Sequence, residues 1–461
     1  MKMELHDYDI YPKVFPAGQA VDITLRALGK NTWFGGEYKV VVQRLDSGSL
    51  HHPFTSGNHT DYNTSTDENG HLHFTYTASA EGELAVRVYK RTNPDGDFDR
   101  RVVQMNLYAL DADLADRLPL RGDLHIHTYR SDGHCDPAIC VANYRRNGYD
   151  FIVVTDHGRY YPSLEAIRAY AGVDLALNIL PGEEVHLPGT DVHIVNAGGL
   201  FSVNGLHKCK ENYYETDGAL DARRFDETIT PPDIVTEEQY AAELAQIKEE
   251  RLADCPANVD KDWFAVCEWA FDKIREADGL GIFAHPYWIS DMWQMHEAFT
   301  RYMMEKHPFD AFEVLGGENY YQQNGFQTAL YYDEYRHGRV HPIVGSTDSH
   351  NSTENNRNAL ICSTIVFAHE NERRDILTSI KDRYSVAVDT ISTEYRLVGE
   401  HRFQKYAAYL MENFYPLHDK LAQADGELMR LYYTGDADAE VVNAAAAVSK
   451  KLFDKYFLLA R

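Results

Sequence analysis

Apolar and polar residues alternate through the first quarter of the chain, in Val21, Ile23 and Leu25; Tyr38, Val40 and Val42; Leu72, Phe74 and Tyr76; Leu84, Val86 and Val88; and Val103, Met105 and Leu107. A period of two places each apolar set on one face of a strand. The stretches between them, such as "SGNHTDYNTSTDENG" and "NPDGD", are rich in turn formers. Residues 1–117 are therefore predicted to form an antiparallel β-sandwich. After Pro119 the texture changes to short apolar runs separated by helical patterns: "DLHIHT", "DFIVVTDH", "NILPGEEVHL", "DVHIVNAGG", "GIFAHP", "AFEVLGG" and "HPIVGSTDSH". Strands alternating with helices predict a mostly parallel α/β sheet or barrel over residues 118–394. A Glu- and Ala-rich segment at about 206–277, including "TEEQYAAELAQIKEERLADC", reads as a helical insertion and a candidate lid. Residues 395–461 read as a helical extension, with "EVVNAAAAVSKKLFDKYFLLA" its clearest amphipathic stretch.

Nearly every apolar run of the second region ends in His, Asp or Glu. His125 and His127 flank one residue, so on a strand both imidazoles share a face and can grip one ion. "TDH" at 155–157, "AHP" at 284–286 and "TDSH" at 347–350 repeat the arrangement. In a barrel of parallel strands the C-terminal ends converge on one face, where sites are built. The candidate metal ligands are His125, His127, Asp132, His157, Glu184, His193, His285, Asp348 and His350. Imidazole and carboxylate donors suit zinc, manganese or iron.

Charge and cysteine usage narrow the function. The formal net charge of −26 argues against a nucleic-acid or anionic-membrane surface, so an anionic substrate would need bound metal ions to attract it. Hydrophobic residues make up 44% and charged residues 25% of the chain, as in soluble globular proteins. Cys135, Cys140, Cys209, Cys255, Cys267 and Cys362 are scattered without a CxxC pair, which predicts neither a disulfide framework nor a zinc ribbon. The start "MKMELHDYDIYPK" carries charges where a signal peptide has an apolar core, and no run of about 18 apolar residues occurs. A cytoplasmic protein is expected.

The motifs "DLHIHT" with "SDG", "VVTDHG", "PGEEVH" followed by "HIVNAGG", "FAHP" and "GSTDSH", in this order over residues 121–350, resemble the polymerase and histidinol phosphatase (PHP) superfamily of metallohydrolases. The resemblance implies a distorted seven-stranded β/α barrel with two or three divalent transition-metal ions (Mn, Zn or Fe), here behind an N-terminal immunoglobulin-like β-domain. It also implies that His125 and His127 bind a first ion together with Asp348 and share Glu184 with a second. His193 and His285 would complete the second ion, and Asp132, His157 and His350 would hold a third. Two places depart from the family pattern. "GEE" offers Glu183 beside the preferred Glu184, and "GSTDSH" has one residue more than the usual spacing.

A carboxylate shared by two ions holds them about 3.5–4 Å apart, the spacing of hydrolytic two-metal sites, with bridging hydroxide as nucleophile. Asp156 is read as orienting an imidazole or as a helix N-cap. Arg130, Arg159 and Arg357 flank ligand motifs, as phosphate clamps or as solvated side chains. His134 is read as a proton donor to a leaving group or as a loop histidine. Tyr287 and Trp288, which follow "AHP", either wall the pocket or pack in the core. The expected activity is hydrolysis of a small-molecule phosphate ester. The alternatives are carbamate, ester or amide hydrolysis by the same superfamily, and a binding protein with a vestigial barrel.

Overall fold

The computed structural model describes residues 4–29, 34–48, 58–207, 225–226, 228–316, 321–353, 362–390 and 396–460. The chain divides into two compact units, Met1–Leu118 with His401–Leu421 and Ala447–Arg461, and Pro119–Glu400 with Ala422–Ala446.

In the first unit, β1 (Tyr8–Tyr11), β2 (Val14–Pro16), β3 (Ala20–Ala27), β4 (Glu37–Arg44), β5 (His59–Ser65), β6 (Leu72–Thr77), β7 (Gly82–Lys90) and β8 (Arg100–Leu110) form two sheets. Their orders are β1-β3-β6 and β2-β8-β7-β4-β5, antiparallel except for β2 with β8. The alternating residues supply one apolar core: Ile23, Leu25 and Phe74 from the first sheet, and Val40, Val42, Leu84, Val86 and Leu107 from the second. The "SGNHTDYNTSTDENG" stretch differs from expectation, because part of it is strand β5, paired with β4. No residue of β5 is fully buried, so this edge strand carries no apolar alternation. The C-terminal helices close this unit from the other end of the chain. Tyr409 Oη donates to the carbonyls of Lys13 (3.0 Å) and Asn106 (3.1 Å), and Arg402 bridges Glu81 and Asp113.

The second unit contains β9 (Leu118–Asp123), β10 (Phe151–Val153), β11 (Asn178–Leu180), β12 (Gly182–Val185), β13 (Ile194–Ala197), β14 (Leu280–Phe283), β15 (Ala311–Leu315), β16 (Ile343–Gly345), β17 (Cys362–Ala368), β18 (Ser385–Asp389) and β19 (Arg396–Val398). They form sheets of order β11-β10-β9-β17-β18-β19 and β12-β13-β14-β15-β16. Two isolated parallel bridges, Ile126 with Ser349 and His157 with Glu184, join the sheets just beyond β9, β16 and β10. Through them β9, β10, β12, β13, β14, β15 and β16 are linked in a closed cycle. β13 runs antiparallel to both β12 and β14, a departure from the mostly parallel sheet expected. The short β12–β13 connection explains it, since a parallel crossover needs a dozen residues or more.

Helix packing also differs from the expected lid. The helix Lys261–Glu276 buries Phe264, Trp269, Phe271 and Ile274 in the main core of this unit, so that half of the segment is built into the fold. The helix Glu237–Glu250 before it starts at a capping box of Thr236 and Gln239. The helix Tyr415–Thr434 approaches the helix Pro137–Arg146 at Gly426, where a Cβ would meet the backbone of Ala142 and Arg146. Beside this crossing, buried Arg145 is paired to Asp150 (3.0 Å) and Asp425 (2.8 Å).

Candidate metal centre

Backbone pairing past the strand ends sets the site. Beyond β9, Leu124 and Ile126 are buried on one side while His125 and His127 point to the other, as strand alternation requires. The N–H of Asp348 donates to the carbonyl of His125 (2.8 Å) and that of His127 to the carbonyl of Ser349 (2.9 Å), which fixes the two loops in register. The carboxylate of Asp123 accepts the N–H groups of His125 (3.2 Å) and Thr347 (3.1 Å) and ties them further. Asp348 sits at φ 50°, a left-handed conformation that Asp tolerates better than most residues. His350 Nδ1 lies 2.9 Å from the Asp348 carbonyl, leaving Nε2 for the site. His193 reaches the same face because it precedes an antiparallel strand, so here the ligand stands at a strand's start.

The side chains named from the sequence as ligands converge. Asp348 Oδ1 lies 2.9 Å from His127 Nε2 and 3.3 Å from His125 Nε2, and its Oδ2 lies 3.6 Å from His285 Nε2. Glu184 Oε2 is 2.6 Å from His157 Nδ1 and 3.5 Å from Nε2 of both His125 and His127, while Oε1 is 2.6 Å from His193 Nδ1. Asp132 Oδ2 lies 3.3 Å from His350 Nε2 and 3.4 Å from His157 Nε2. With its side chain 54% exposed, Asp132 marks the solvent side of the cluster. Glu184 thus occupies the middle of the set and Asp348 joins the HxH pair to His285.

The set fits divalent ions. His125 Nε2, both nitrogens of His127 and His285, both oxygens of Glu184, and His193 Nδ1 are buried and make no well-directed hydrogen bond; the close contacts of this cluster are among its own imidazoles and carboxylates. Buried polar atoms nearly always make such a bond, and so many nitrogen and oxygen donors lacking one in one place match the ligand chemistry of zinc, manganese or iron.

Electrostatics agrees with that fit. Burial pushes His127 down to about 4 and His285 down to about 3, so each imidazole is neutral with one lone-pair nitrogen to offer. Burial also opposes the His157 cation, but the carboxylates of Glu184 and Asp132 outweigh it and lift this group to about 11. Burial likewise opposes ionisation of Glu184 and Asp348, yet the surrounding imidazoles hold both well below the usual carboxylate range. In the ion-free protein at pH 7, His157 therefore carries a proton that a cation must displace. Metal loading is expected to release protons, and affinity is expected to rise with pH. A weakly buffered titration with a pH indicator that shows no proton release at pH 7 would contradict this.

The structure also places the other residues singled out in the sequence. Glu183 points away from the centre, where its carboxylate accepts from Ser202, Asn204, Asn196 and the Val203 N–H. Asp156 touches no imidazole in these bonds: it binds Thr128 and Ser131 and so shapes the turn that carries Asp132. Arg130 is held bidentately by Glu165 at 2.8 and 2.7 Å and stacks on Tyr129. His134 is exposed and Arg159 half-buried; Arg357 lies outside the described residues. Tyr287 donates to Glu297 (2.9 Å) and packs on Trp293 and Phe326, while Trp288 is half-buried.

Two residues escaped the sequence reading. His186 Nε2 lies 2.7 Å from His157 Nδ1 and 3.7 Å from Glu184 Oε2. Glu313 Oε2 lies 3.0 Å from His125 Nδ1. The signal for Glu313 was a lone charge inside the apolar run "AFEVL". His186 shares its side of the strand with Glu184, two residues earlier.

No protein-family model matches the chain, and no curated protein matches it. Among solved structures it is similar to a two-domain protein containing a predicted PHP-like metal-dependent phosphoesterase from Bacteroides vulgatus, at 16% identity and TM-score 0.37, over 59% of this chain and 66% of that one. A second similar structure, assigned as a metal-dependent phosphoesterase from Bifidobacterium adolescentis, has 17% identity and TM-score 0.30 over 51% of this chain and 89% of the other. A third is an amidohydrolase from Chromobacterium violaceum with bound sulfate and no metal, at 17% identity and TM-score 0.27, over 50% and 87% of the two chains.

Proposed function

We propose that this chain is a metal-dependent hydrolase acting on a phosphate ester of a small molecule, with the linked cycle of β9, β10 and β12–β16 serving as a distorted seven-stranded barrel. The observation that carries the reading is the buried cluster of imidazole and carboxylate atoms around Glu184 and Asp348, whose short contacts are to one another. His125, His127, Glu184 and Asp348 would hold one ion, Glu184, His193 and His285 a second, and Asp132, His157 and His350 a third. Ions held there supply a water nucleophile at neutral pH and neutralise charge developing on the scissile group. The chain's own groups do the rest. Glu184 would face two ion positions with its two oxygens, and Asp156 holds the turn that presents Asp132. His134, exposed and tied by its N–H to the carbonyl of His350, would be the group that passes a proton to a leaving group. No helix among the described residues is long and apolar enough to cross a membrane; that the small-molecule substrate is met in the cytoplasm is part of the proposal.

One observation favours a second reading, hydrolysis of a carbamate, ester or amide. Phosphoryl transfer calls for cationic clamping of the nonbridging oxygens, and the Arg130 guanidinium is already neutralised by Glu165. Turnover of phosphate monoesters, phosphodiesters and aryl carbamates, each with added manganese, zinc or iron, separates the two. Cleavage of uncharged carbamates alone would replace the phosphatase by the acyl hydrolase.

A further inference from the structure

β15 runs through the core as Ala-Phe-Glu-Val-Leu, every residue of it buried. Glu313, the single charge of that strand, is wholly buried and so is its partner His125. The contact is one hydrogen bond, His125 Nδ1 to Glu313 Oε2 at 3.0 Å. The other ring nitrogen of His125 faces Asp348 and Glu184 at 3.3 and 3.5 Å. An imidazole whose Nδ1–H is taken by a carboxylate must present Nε2 as its lone-pair nitrogen, and the carboxylate makes that nitrogen a stronger donor to a cation. The surroundings hold Glu313 in this pose. The side chains of Gln327 and Asn324, on the helix Tyr321–Arg336, bond the Glu313 carbonyl (3.2 Å) and the Gly316 N–H (2.9 Å). The carboxylate folds back over Gly316, where a Cβ would fall on Glu313 Oε1 itself. The Gly316 backbone does not sit at positive φ, so the glycine here makes room for the carboxylate rather than for a turn.

We propose that Glu313 is the positioning residue of the metal centre, fixing His125 with Nε2 toward the ions, and that Gly316 is glycine so that the Glu313 carboxylate can take this place. The inference rests on the metal-hydrolase reading of the site. It predicts a linked pair of effects. Glu313→Gln keeps an acceptor for Nδ1 but loses the charge, and it should weaken Zn²⁺ binding by about 10- to 100-fold, the range for carboxylates behind a ligating imidazole. Gly316→Ala should weaken Zn²⁺ binding in the same direction, because the new methyl group displaces the carboxylate. In a Glu313→Ala background the same Gly316→Ala change should add nothing further, since the three atoms nearest the new methyl group all belong to the Glu313 side chain that is then gone.

The test is competition of the full-length protein against a chelator for Zn²⁺, together with the visible absorption of the Co²⁺-loaded protein, which reports the ligand geometry and which a purely structural change elsewhere would leave alone. Weakened Zn²⁺ binding and an altered Co²⁺ spectrum in Glu313→Gln and Gly316→Ala, with no additional effect of the second change in the Glu313→Ala background, support the proposal. Unchanged affinity and spectrum in both single variants overturn it. Loss of one whole ion equivalent from Glu313→Gln, with the remaining ions bound normally, would make Glu313 a ligand and also overturns it. A parent protein that takes up no Zn²⁺ or Co²⁺ at all overturns the metal-centre reading itself, a different failure from the preceding two.

Discussion

Glu184→Gln is expected to remove most metal binding and turnover, while Glu183→Gln keeps both in the fraction that folds. Glu184 lies within 3.7 Å of His125, His127, His157, His186 and His193, all converging on its two oxygens. An amide there offers one neutral acceptor where a charged carboxylate faced two sides, and its NH₂ group points at nitrogens that should receive a cation. Breaking a buried charge-assisted set costs on the order of 3–5 kcal/mol. At about 1.36 kcal/mol per factor of ten, that is two to four powers of ten in binding or rate. Glu183, by contrast, accepts from Ser202, Asn204, Asn196 and the Val203 N–H, well clear of the imidazoles. Its amide variant should lose about 1–3 kcal/mol of stability through mismatched donors. Elemental analysis and turnover measured side by side decide the matter. Equal metal loss from both variants would show that the wrong carboxylate has been placed at the centre.

Arg145→Ala is expected to cost about 3–5 kcal/mol of folding stability. The guanidinium is 1% exposed and its carboxylate partners Asp150 and Asp425 are 3% and 6% exposed. It also donates to the Tyr149 carbonyl at 3.0 Å. Truncation leaves two buried carboxylates without their cation, and neither is near enough to solvent to be hydrated cheaply. Replacing Arg145, Asp150 and Asp425 together by apolar residues of similar volume should recover much of the loss, because the charges and their desolvation leave together. The unfolding midpoint in urea measures both, and a shift under about 1 kcal/mol for Arg145→Ala would contradict the account. Arg145 is remote in sequence from Asp425, which lies in the stretch Ala422–Ala446 of the same unit.

How much of this was legible beforehand depends on what kind of information each feature carries. The alternating runs of the first unit each became a strand, because a two-residue period is a local property that any half-buried strand must show. β5 escaped because an edge strand with no buried face has no such period. The ligand candidates were legible because several His, Asp and Glu residues at the ends of short apolar runs have few structural uses, and the chain brings them to one place. Glu184 was preferred to Glu183 from the family pattern, and in the tertiary structure the two carboxylates take different faces of β12, with Glu184 the one that meets the imidazoles.

The sequence by itself determined the alternating strands and the donor chemistry, both of which depend on neighbours a few positions away. Only the tertiary structure decided who faces whom. It turned β13 antiparallel, so that His193 enters from a strand's start, and it spent Arg130 on Glu165 and Asp156 on the Thr128–Ser131 turn. It also set Glu313 behind His125, across 188 positions of chain. A buried charge is intelligible only with its partner, and the partner of a buried charge is chosen by closure of the sheets, at distances along the chain over which no periodicity survives.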